Sequence, residues 1–434
     1  MTNYLRVAYH LHTLIRRSFW DKARLSIFQN DRLRKMVNHA YNYVPFYHRK
    51  FRELGIYPSD IKSTEDLKKL PIIRKDEIRQ NQREIISNGF ALDQLKRLST
   101  SGSTGKPLFL HISSAESEFR KAKHLRANMS CGQRPFDRWV TITAPTHFAE
   151  SMRLQKILNL FSPCPISVFD DTNEQIRKLE EMRPDVLDGY SSSLFLLAKE
   201  IEKKDIRTIT PRFLIGGAEF IDEYSRNFIE ETLNSPFYDQ YSSVEFERIA
   251  WQCPVKKGYH MDVDAVSIEF VDDDGEEVSF GERGEIICTS LFSYAMPFIR
   301  YAVGDIGVKS EEYCECGRNL PLMKVVEGRK DSLLHLPDGR TLTPRAFTIA
   351  FNMFKLYSYI DQFRVIQRKK ALFHVLVKIK DNKRNYENVL VKELPAHLRR
   401  TINLPANSVK FEIDCVDEIP LDKSGKLLTV ISEL

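Results

Sequence analysis

The amino-acid sequence lacks any long apolar run. No stretch reaches the roughly 18 uncharged apolar residues that a bilayer-spanning helix needs, and the first residues have neither the apolar core nor the small-residue cleavage site of a signal peptide. Hydrophobic residues make up 42% and charged residues 29% of the 434 positions, which excludes a polytopic membrane protein and a wholly disordered chain. We therefore expect a soluble, cytoplasmic protein of two or three domains.

A strong charge excess is also missing. The 65 Lys and Arg residues stand against 59 Asp and Glu residues, so the net charge is only +6. Basic residues at 364–370 and 378–384 alternate with apolar ones, as solvated strands and turns do, and we do not expect nucleic-acid binding.

Cysteines are few and odd in number. Seven in a chain of this length argue against a disulfide framework and for reduced thiols or metal ligands. Three thiolates and one imidazole, from Cys253, His260, Cys314 and Cys316, would form a closed tetrahedral set, and we favour structural Zn²⁺ over free buried thiols. The other four are predicted to be core residues: Cys131, Cys164, Cys288 and Cys415.

The hydrophobic pattern predicts an α/β protein. Residues 1–50 have helical periodicity and no acidic residue before Asp21, and we favour packing of this basic helical segment on its own domain over peripheral contact with a membrane or a protein. Short apolar runs between residues 95 and 300 indicate a sheet with crossover helices. The Asp-Gly turn at 274–275 lies between two β-rich runs, so it predicts an antiparallel hairpin and the start of a β-rich subdomain.

The end of the sequence has a different pattern. A strand-like run at 372–379, a basic helix around 387–401 and a second strand at 409–413 predict a small α+β domain. We place the boundary near Gly328, which gives a large domain at 1–327 and a small one at 328–434.

A glycine- and hydroxyl-rich loop occupies residues 98–107. Its hydroxyls, backbone N–H groups and lysine are suited to surround phosphate oxygens. Thr100 stands where a P-loop needs glycine and Pro107 follows the lysine, so this is not a Walker A motif. A plain flexible linker is disfavoured by the lysine and by the strand-like run at 108–110. The candidate nucleotide-binding residues here are Ser99, Thr100, Ser101, Gly102, Ser103, Thr104, Gly105 and Lys106.

This loop resembles the signature of the adenylate-forming superfamily of acyl-CoA synthetases and peptide-synthetase adenylation domains. Within it, the sequence is most similar to the phenylacetate-CoA ligase family and its CapK-like capsule-biosynthesis relatives, from the Asn-Tyr-Val-Pro-Phe-Tyr string at 42–47 to the C-terminus. The resemblance implies ATP, Mg²⁺ and CoA as ligands, a small carboxylic acid, with an aromatic acid as the family's example, and a mobile C-terminal lid. Some members of this family bind zinc through a similar cysteine and histidine arrangement.

Further motifs recur in the family's order. The string Gly216-Gly217-Ala218-Glu219 matches an element that borders the adenine and acyl sites in the family. Tyr241-Ser242-Ser243-Val244-Glu245 stands where the family has Tyr-Gly-x-Thr-Glu, so two positions depart. The resemblance implies that Glu245 helps to hold Mg²⁺. Val244 cannot donate the hydrogen bond that the family's Thr gives the α-phosphate, so either Ser243 substitutes or adenylation is weakened.

The remaining motifs lie toward the C-terminus. Asp305, in a string resembling Tyr-x-Thr-Gly-Asp, is implied to accept hydrogen bonds from the ribose hydroxyls. Gly328-Arg329-Lys330-Asp331 resembles the hinge, in which Arg329 reaches the nucleotide, Lys330 lies beside it and Asp331 is the pivot. Lys426, near the C-terminus, is implied to bridge the attacking carboxylate and the α-phosphate.

These motifs predict an ATP-dependent ligase that forms an acyl-adenylate and transfers the acyl group to CoA. Two alternatives remain at this stage. The acceptor could be an amine or a hydroxyl in polysaccharide or secondary-metabolite biosynthesis, or the chain could be a non-catalytic scaffold that retains the fold. The acyl pocket is expected near residues 189–193, 216–218 and Tyr241.

Overall fold

The computed structural model describes residues 2–99, 108–148, 151, 153–327, 334–339, 341–342, 346–347, 350–351, 353–402, 404, 408–420 and 428–434. Its helices are α1 Tyr4–Arg17, α2 Lys22–Tyr43, α3 Pro45–Glu53, α4 Lys75–Gln80, α5 Ser114–Ser130, α6 Arg153–Ile157, α7 Thr172–Met182, α8 Ser191–Lys203, α9 Glu223–Leu233 and α10 Glu387–Thr401. Short 3₁₀ helices occupy Pro58–Asp60, Thr64–Lys69, Leu92–Gln94, Pro145–His147, Tyr357–Tyr359 and Asp381–Tyr386. Within these residues, no helix is long and apolar enough to cross a membrane.

The strands fall into separate sheets. Two short ladders are formed by β1 Lys96–Ser99 with β2 Phe109–Ile112, and by β14 Leu334–His335 with β15 Thr341–Leu342. The main sheet contains β3 Trp139–Thr143, β4 Pro163–Ser167, β5 Val186–Tyr190, β6 Phe213–Gly217, β7 Phe237–Ser243, β8 Glu247–Gln252, β9 Tyr259–Met261, β10 Val266–Val271, β11 Arg283–Ser290, β12 Tyr301–Lys309 and β13 Leu322–Glu327. The C-terminal sheet contains β16 Ile360–Lys369, β17 Leu372–Ile379, β18 Lys410–Cys415 and β19 Val430–Ser432.

The N-terminal segment is helical, as its periodicity predicts. Asn3 and Asp21 cap α1 and α2 by accepting hydrogen bonds from backbone N–H groups, which fixes where each helix begins. Val7 and Leu14 of α1 are buried in the large core, while Leu5 on the outer face is 85% exposed. The apolar stripe of α1 therefore packs inside its own domain, as we favoured.

The main sheet joins a parallel half to an antiparallel half. Its order is β10-β11-β12-β13-β9-β8-β7-β6-β5-β3-β4, and the strands from β4 to β7 are parallel. The predicted hairpin is confirmed, because β10 pairs with β11 in antiparallel register. However, the antiparallel strands do not form a sheet of their own. The chain turns back after Ser243 and β8 pairs directly with β7, so the β-rich part is continuous with the α/β sheet.

The C-terminal elements form a small α+β unit with its own core. The strand β17 and the helix α10 have the bounds that the sequence pattern predicts, and the sheet order is β18-β17-β16-β19. Side chains alternate between buried and half-buried along β17, as expected for a strand covered on one face. The fold class is therefore confirmed as α/β, while the proposed boundary at Gly328 lies outside the described residues.

One prediction about the cysteines is wrong. Cys131 and Cys288 are buried and Cys415 is half-buried, but Cys164 is exposed. Cys164 lies on β4, the edge strand of the main sheet, where the side chains of Cys164 and Pro165 are both exposed. An apolar residue type was not enough to predict burial at a sheet edge.

Candidate active site

The predicted motifs meet at the carboxyl ends of the parallel strands. Tyr190 of β5 is in register with Gly217 of β6, and Gly217 is in register with Gln240 of β7. In open α/β sheets, ligands bind in the crevice outside these strand ends. The structure thus brings together the segments 189–193, 216–219 and 241–245, which are separate in the sequence.

The last two residues of β6, both glycines, allow close packing against β7. A Cβ atom at Gly216 would lie 1.9 Å from the Phe237 ring, and one at Gly217 would lie 2.7 Å from the Gln240 carbonyl oxygen. Ala218 then adopts a left-handed backbone with φ of 65°. Only glycine fits at the first two positions without displacing β7. Steric packing therefore explains why the motif has glycine at both positions.

Glu219 connects two of the motifs. Its Oε2 accepts a hydrogen bond of 2.9 Å from the backbone N–H of Ser192, in the first turn of α8. A carboxylate at a helix N-terminus is favoured by the unpaired N–H groups and the helix dipole. Glu219 therefore fixes the loop after β6 against the predicted acyl-pocket segment.

Asp305 and Tyr241 form a direct contact. The Tyr241 hydroxyl donates a hydrogen bond of 2.7 Å to Oδ2 of Asp305, although the residues lie on β7 and β12. Burial, followed by the Asp305 charge, raises the pKa of Tyr241 well above its ordinary value, so the phenol keeps its proton and remains a donor. The predicted ribose aspartate is thus brought to the strand that carries the Tyr-x-x-x-Glu motif.

Glu245 lies in the tight turn between β7 and β8. Its side chain is buried, and Oε1 accepts a hydrogen bond of 3.0 Å from the Tyr301 hydroxyl. The Ser243 hydroxyl accepts a hydrogen bond of 3.2 Å from the backbone N–H of Phe246, so it lies within the same turn. A carboxylate supplies the oxygen ligation that Mg²⁺ prefers, so Glu245 fits the role that the resemblance implies.

Two cations of α5 hold the backbone of this turn. Arg120 donates to the carbonyl oxygens of Val244, at 2.7 Å, and Glu245, at 2.5 Å, while Lys123 donates to that of Phe246 at 3.0 Å. Sequence analysis missed both residues. Two cationic residues on a helix of mixed polarity do not stand out in the sequence. The carbonyl groups to which they donate belong to residues more than 120 positions away.

The cysteines and histidine selected from the sequence also come together. The ligand atoms of Cys253, His260, Cys314 and Cys316 all lie within 4.8 Å of one another. Two of the distances between these atoms are 3.5 Å, for the Sγ atoms of Cys253 and Cys314, and 3.4 Å, for Cys316 Sγ and His260 Nε2. Tetrahedral zinc with thiolate bonds of about 2.3 Å requires Sγ separations of about 3.8 Å, so the set is close to ligating geometry.

The pKa shifts at this cluster act in both directions. Burial raises the thiol pKa of Cys253 to about 12 and also raises that of Cys314, so these two thiols must lose protons when a metal binds, whereas the shifts of His260 and Cys316 favour binding. Burial, then the Arg318 charge, lowers the pKa of His260 to about 4, which keeps the imidazole neutral near pH 7. For Cys316, burial acts to raise the pKa, but hydrogen bonds from Arg318 outweigh it and the thiol pKa is lowered. A neutral imidazole and an acidified thiol are the forms that bind zinc.

Several predicted residues lie outside the part of the chain that the structure describes. The loop residues Thr100–Lys106, the hinge residues Arg329, Lys330 and Asp331, and Lys426 belong to this group. The ends of the loop are described: Ser99 of β1 pairs with Phe109 of β2 in antiparallel register. The loop is therefore closed at its base by a two-stranded ladder.

Comparisons with known proteins agree with this arrangement. The sequence is 27% identical over 323 residues to a phenylacetate-coenzyme A ligase of Thermus thermophilus, covering 72% of each chain. It is 22% identical over 419 residues to protein CapK of Staphylococcus aureus, covering 94% of this chain and 89% of CapK. A crystal structure of 2-hydroxyisobutyryl-CoA ligase superposes with a TM-score of 0.80 at 20% identity, over 96% of this chain and 91% of that chain. No family model matches.

The fold of this chain is therefore that of the acyl-CoA ligases with an adenylate-forming fold, including a separate small C-terminal unit. Its sequence is similar to phenylacetate-coenzyme A ligases and to CapK. The contacts of Glu219, Tyr241, Glu245 and Asp305 lie within this fold.

Proposed function

We propose that this protein activates a small carboxylic acid with ATP, releases pyrophosphate and transfers the acyl group from the acyl-adenylate to CoA. The observation that carries the proposal is the convergence of 216–219, 241–245 and Asp305 at one crevice, with the Tyr241–Asp305 hydrogen bond joining its two sides. Similarity to phenylacetate-CoA ligases supports CoA as the acceptor. An aromatic acid is consistent with the same relatives.

The chemistry explains why such residues are needed. Oxide is a poor leaving group, so a carboxylate becomes an acyl donor only after its oxygen attacks the α-phosphate of ATP. Two anions must then approach each other, and cations and oriented donors stabilise that transition state. In our proposal Lys426 bridges the carboxylate and the α-phosphate, Glu245 holds Mg²⁺, and the loop 99–106 surrounds the phosphates. Bound Mg²⁺ supplies positive charge to the phosphate oxygens.

We propose that residues next to this site bind the nucleoside part of ATP. Asp305 would accept hydrogen bonds from the ribose hydroxyls, and Gly217, Ala218 and Glu219 would line the adenine and acyl sides. The other nucleotide-side residues in the proposal are Tyr241, Ser242, Ser243, Arg329 and Lys330. We further propose that residues 328–434 form a lid that turns about Asp331 between the two half-reactions. This rotation would remove Lys426 from the site and open a path for the CoA thiol.

A second acceptor class deserves a separate test. The match to CapK covers 94% of this chain, whereas the phenylacetate-CoA ligase matches cover no more than 72%. This wider match favours an alternative in which an amine or hydroxyl in capsule polysaccharide biosynthesis accepts the acyl group. A scaffold without activity is less favoured, because Lys106, Asp305, Arg329 and Lys426 are all retained.

One experiment separates these possibilities. Acid-dependent pyrophosphate release is measured with ATP and Mg²⁺ across aryl, aliphatic and amino acids, with and without CoA. We expect one acid to trigger pyrophosphate release and CoA to accelerate it. Release with acid but indifference to CoA would favour the amine or hydroxyl acceptor, and silence with every acid would favour the scaffold.

The positioning of Glu245 can be tested through α5. We expect Arg120→Met to lower kcat for pyrophosphate release about 10- to 100-fold, because the turn that holds Glu245 loses two charge-assisted hydrogen bonds and only part of their worth, about 1.4–2.7 kcal/mol, appears in the reaction barrier. The Mg²⁺ concentration that gives half-maximal rate should rise as well. The neighbouring substitution Lys121→Met serves as the control. A normal rate per folded molecule in Arg120→Met would show that Arg120 only stabilises the fold.

We also propose that Cys253, His260, Cys314 and Cys316 hold structural Zn²⁺, with no open position for substrate. The loop of Cys316 is tied to the end of α1, because the backbone N–H of Asn319 donates to the Ser18 carbonyl at 2.8 Å. Removing the metal is therefore expected to loosen the N-terminal helices.

Metal removal gives a direct test of this site. The purified protein is expected to contain one equivalent of zinc, and a strong chelator should lower its melting temperature while the rate per remaining folded molecule stays unchanged. Cys253→Ser should have the same effect without a chelator. Zinc-free protein with a normal melting temperature would exclude the structural role.

A further inference from the structure

A second group of charged side chains lies along the inner face of α5. His124 Nδ1 is 3.1 Å from Oε1 of Glu247 and 3.3 Å from Nη2 of Arg248. The other ring nitrogen, Nε2, faces Oδ2 of Asp188 across 3.8 Å, which is too far for a direct hydrogen bond. Among the described residues, no group hydrogen-bonds to His124 Nε2, and solvent does not reach this atom.

These side chains line a recess rather than a sealed core. Solvent still reaches 26% of the His124 side chain, 17% of Asp188 and 28% of Glu247. At the same time, burial raises the pKa of Asp188 despite the opposing charges of His124 and Arg248. A carboxyl group that is both desolvated and reachable lies in a concave surface, where a small molecule can replace water. The Trp139 ring, with its centroid 5.5 Å from that of His124, forms one wall.

The recess reaches from β8 to β5, and its Asp188 end is the one farther from Asp305. Asp188 is on β5, directly before Gly189 and Tyr190, while Glu247 begins β8 and pairs with Ser243. Asp305 approaches β7 from the antiparallel half of the sheet, and β5 lies on the other side of β7. In the proposed ligase the ribose lies at Asp305 and the phosphates lie near Glu245, so a bound acid would extend toward β5. Its end remote from the carboxylate would then lie near His124 and Asp188.

We propose that His124, Asp188, Glu247 and Arg248 select acids whose remote end carries a hydrogen-bond donor, an amine or a hydroxyl. This inference rests on the proposed ligase function and names the substrate class of the same site. A donor that reaches the partly exposed Asp188 side chain pairs its carboxylate. An unsubstituted phenyl or alkyl end would instead cover a carboxylate without pairing it, which costs binding energy.

Matched acids test this preference. Pyrophosphate release is measured for phenylacetate against 4-aminophenylacetate and 4-hydroxyphenylacetate, and for butyrate against 4-aminobutyrate and 4-hydroxybutyrate. We expect kcat/KM to be about 100-fold higher for a donor-bearing acid than for its unsubstituted partner, because a site built for a hydrogen-bonding group rejects analogues that lack it. The amine and hydroxyl arms show which donor is used.

Substitutions connect the preference to the recess. Asp188→Leu should bring the ratio between the two acids close to one, chiefly by slowing the donor-bearing acid, and His124→Phe is a second variant should the first fail to fold. Asp185→Leu is the matched control, because Asp185 lies at the opposite end of the strand in an ion pair with Arg138 and should leave the ratio unchanged.

Two results would overturn the inference and leave the ligase function standing. One is a wild-type protein that works fastest with the unsubstituted acids. The other is an Asp188→Leu variant that slows every acid by the same factor. Absence of release with every acid tested would be a different failure, because it would remove the proposed function and this inference together.

Discussion

Replacing Lys426 by alanine is expected to slow adenylation about 10³-fold and to spare the thioester-forming step. Removing one group that stabilises transition-state charge costs about 10²–10³ in rate, and in the proposed mechanism Lys426 acts between two anions, so we expect a loss at the upper end of this range. The acyl-adenylate already contains the activated bond, so a chemically prepared one should react with CoA at the normal rate. The two half-reactions are measured separately, as pyrophosphate release and as AMP release from the synthetic adenylate.

The controls for this variant lie in the same segment. Lys423→Ala removes a lysine of equal charge three positions away and should keep both half-reactions. Lys426→Arg keeps the positive charge and should retain part of the adenylation rate, because the guanidinium group has a different reach and geometry. Equal losses in both half-reactions of Lys426→Ala would contradict the assigned role.

The fold was predictable wherever local pattern and burial coincide. The alternation of residues 372–379 gave the bounds of β17, and the helical period of 387–401 gave those of α10. The continuity of the main sheet was not predictable in the same way. It depends on the pairing of β7 with β8 through a tight turn at 244–246, and the sequence there has no Gly or Asn signal for a hairpin.

The site was predictable where the residues belong to ordered motifs. Gly216, Tyr241 and Asp305 could be selected from their strings, and the cysteine and histidine set could be selected from its residue types. The supporting residues could not be selected, because Arg120 and His124 act on backbone and side-chain atoms that only the folded chain brings near. Their helix carries a charged inner face, which runs against the rule that buried faces are apolar.

Replacing Arg126 by methionine is expected to lower the free energy of unfolding by about 3–5 kcal/mol, because it leaves two buried carboxylates without their cation. Arg126 Nη2 lies 2.5 Å from Asp262 and Nη1 lies 2.9 Å from Asp264, and solvent does not reach either aspartate. Burial raises the pKa of Asp262, and the charges of Arg126 and Lys123 oppose that rise. Denaturant unfolding of both proteins measures the difference.

A surface pair supplies the control for this measurement. Arg177→Met breaks exposed ion pairs with Glu174 and Glu181 and is expected to cost less than about 1 kcal/mol, since solvent screens such pairs. A similarly small effect at Arg126 would show that Asp262 takes up a proton in the variant. That outcome would appear as a stability that falls more steeply with rising pH than in the wild type, because burial raises the pKa of Asp262 and its neutral form is favoured only below that pKa.

The Arg126 pair also adjoins the proposed zinc site. Oδ1 of Asp262 accepts a hydrogen bond of 2.8 Å from the Trp251 indole, whose ring centroid lies 4.9 Å from that of His260. Arg126 further donates to the Leu14 carbonyl of α1 at 3.2 Å. Both the ion pair and the metal cluster thus tie the N-terminal helices to the antiparallel strands. The losses of stability caused by chelation and by Arg126→Met are therefore expected to be non-additive, because each change releases part of the same interface. In the zinc-free protein, Arg126→Met should lower the free energy of unfolding by less than it does in the zinc-bound protein.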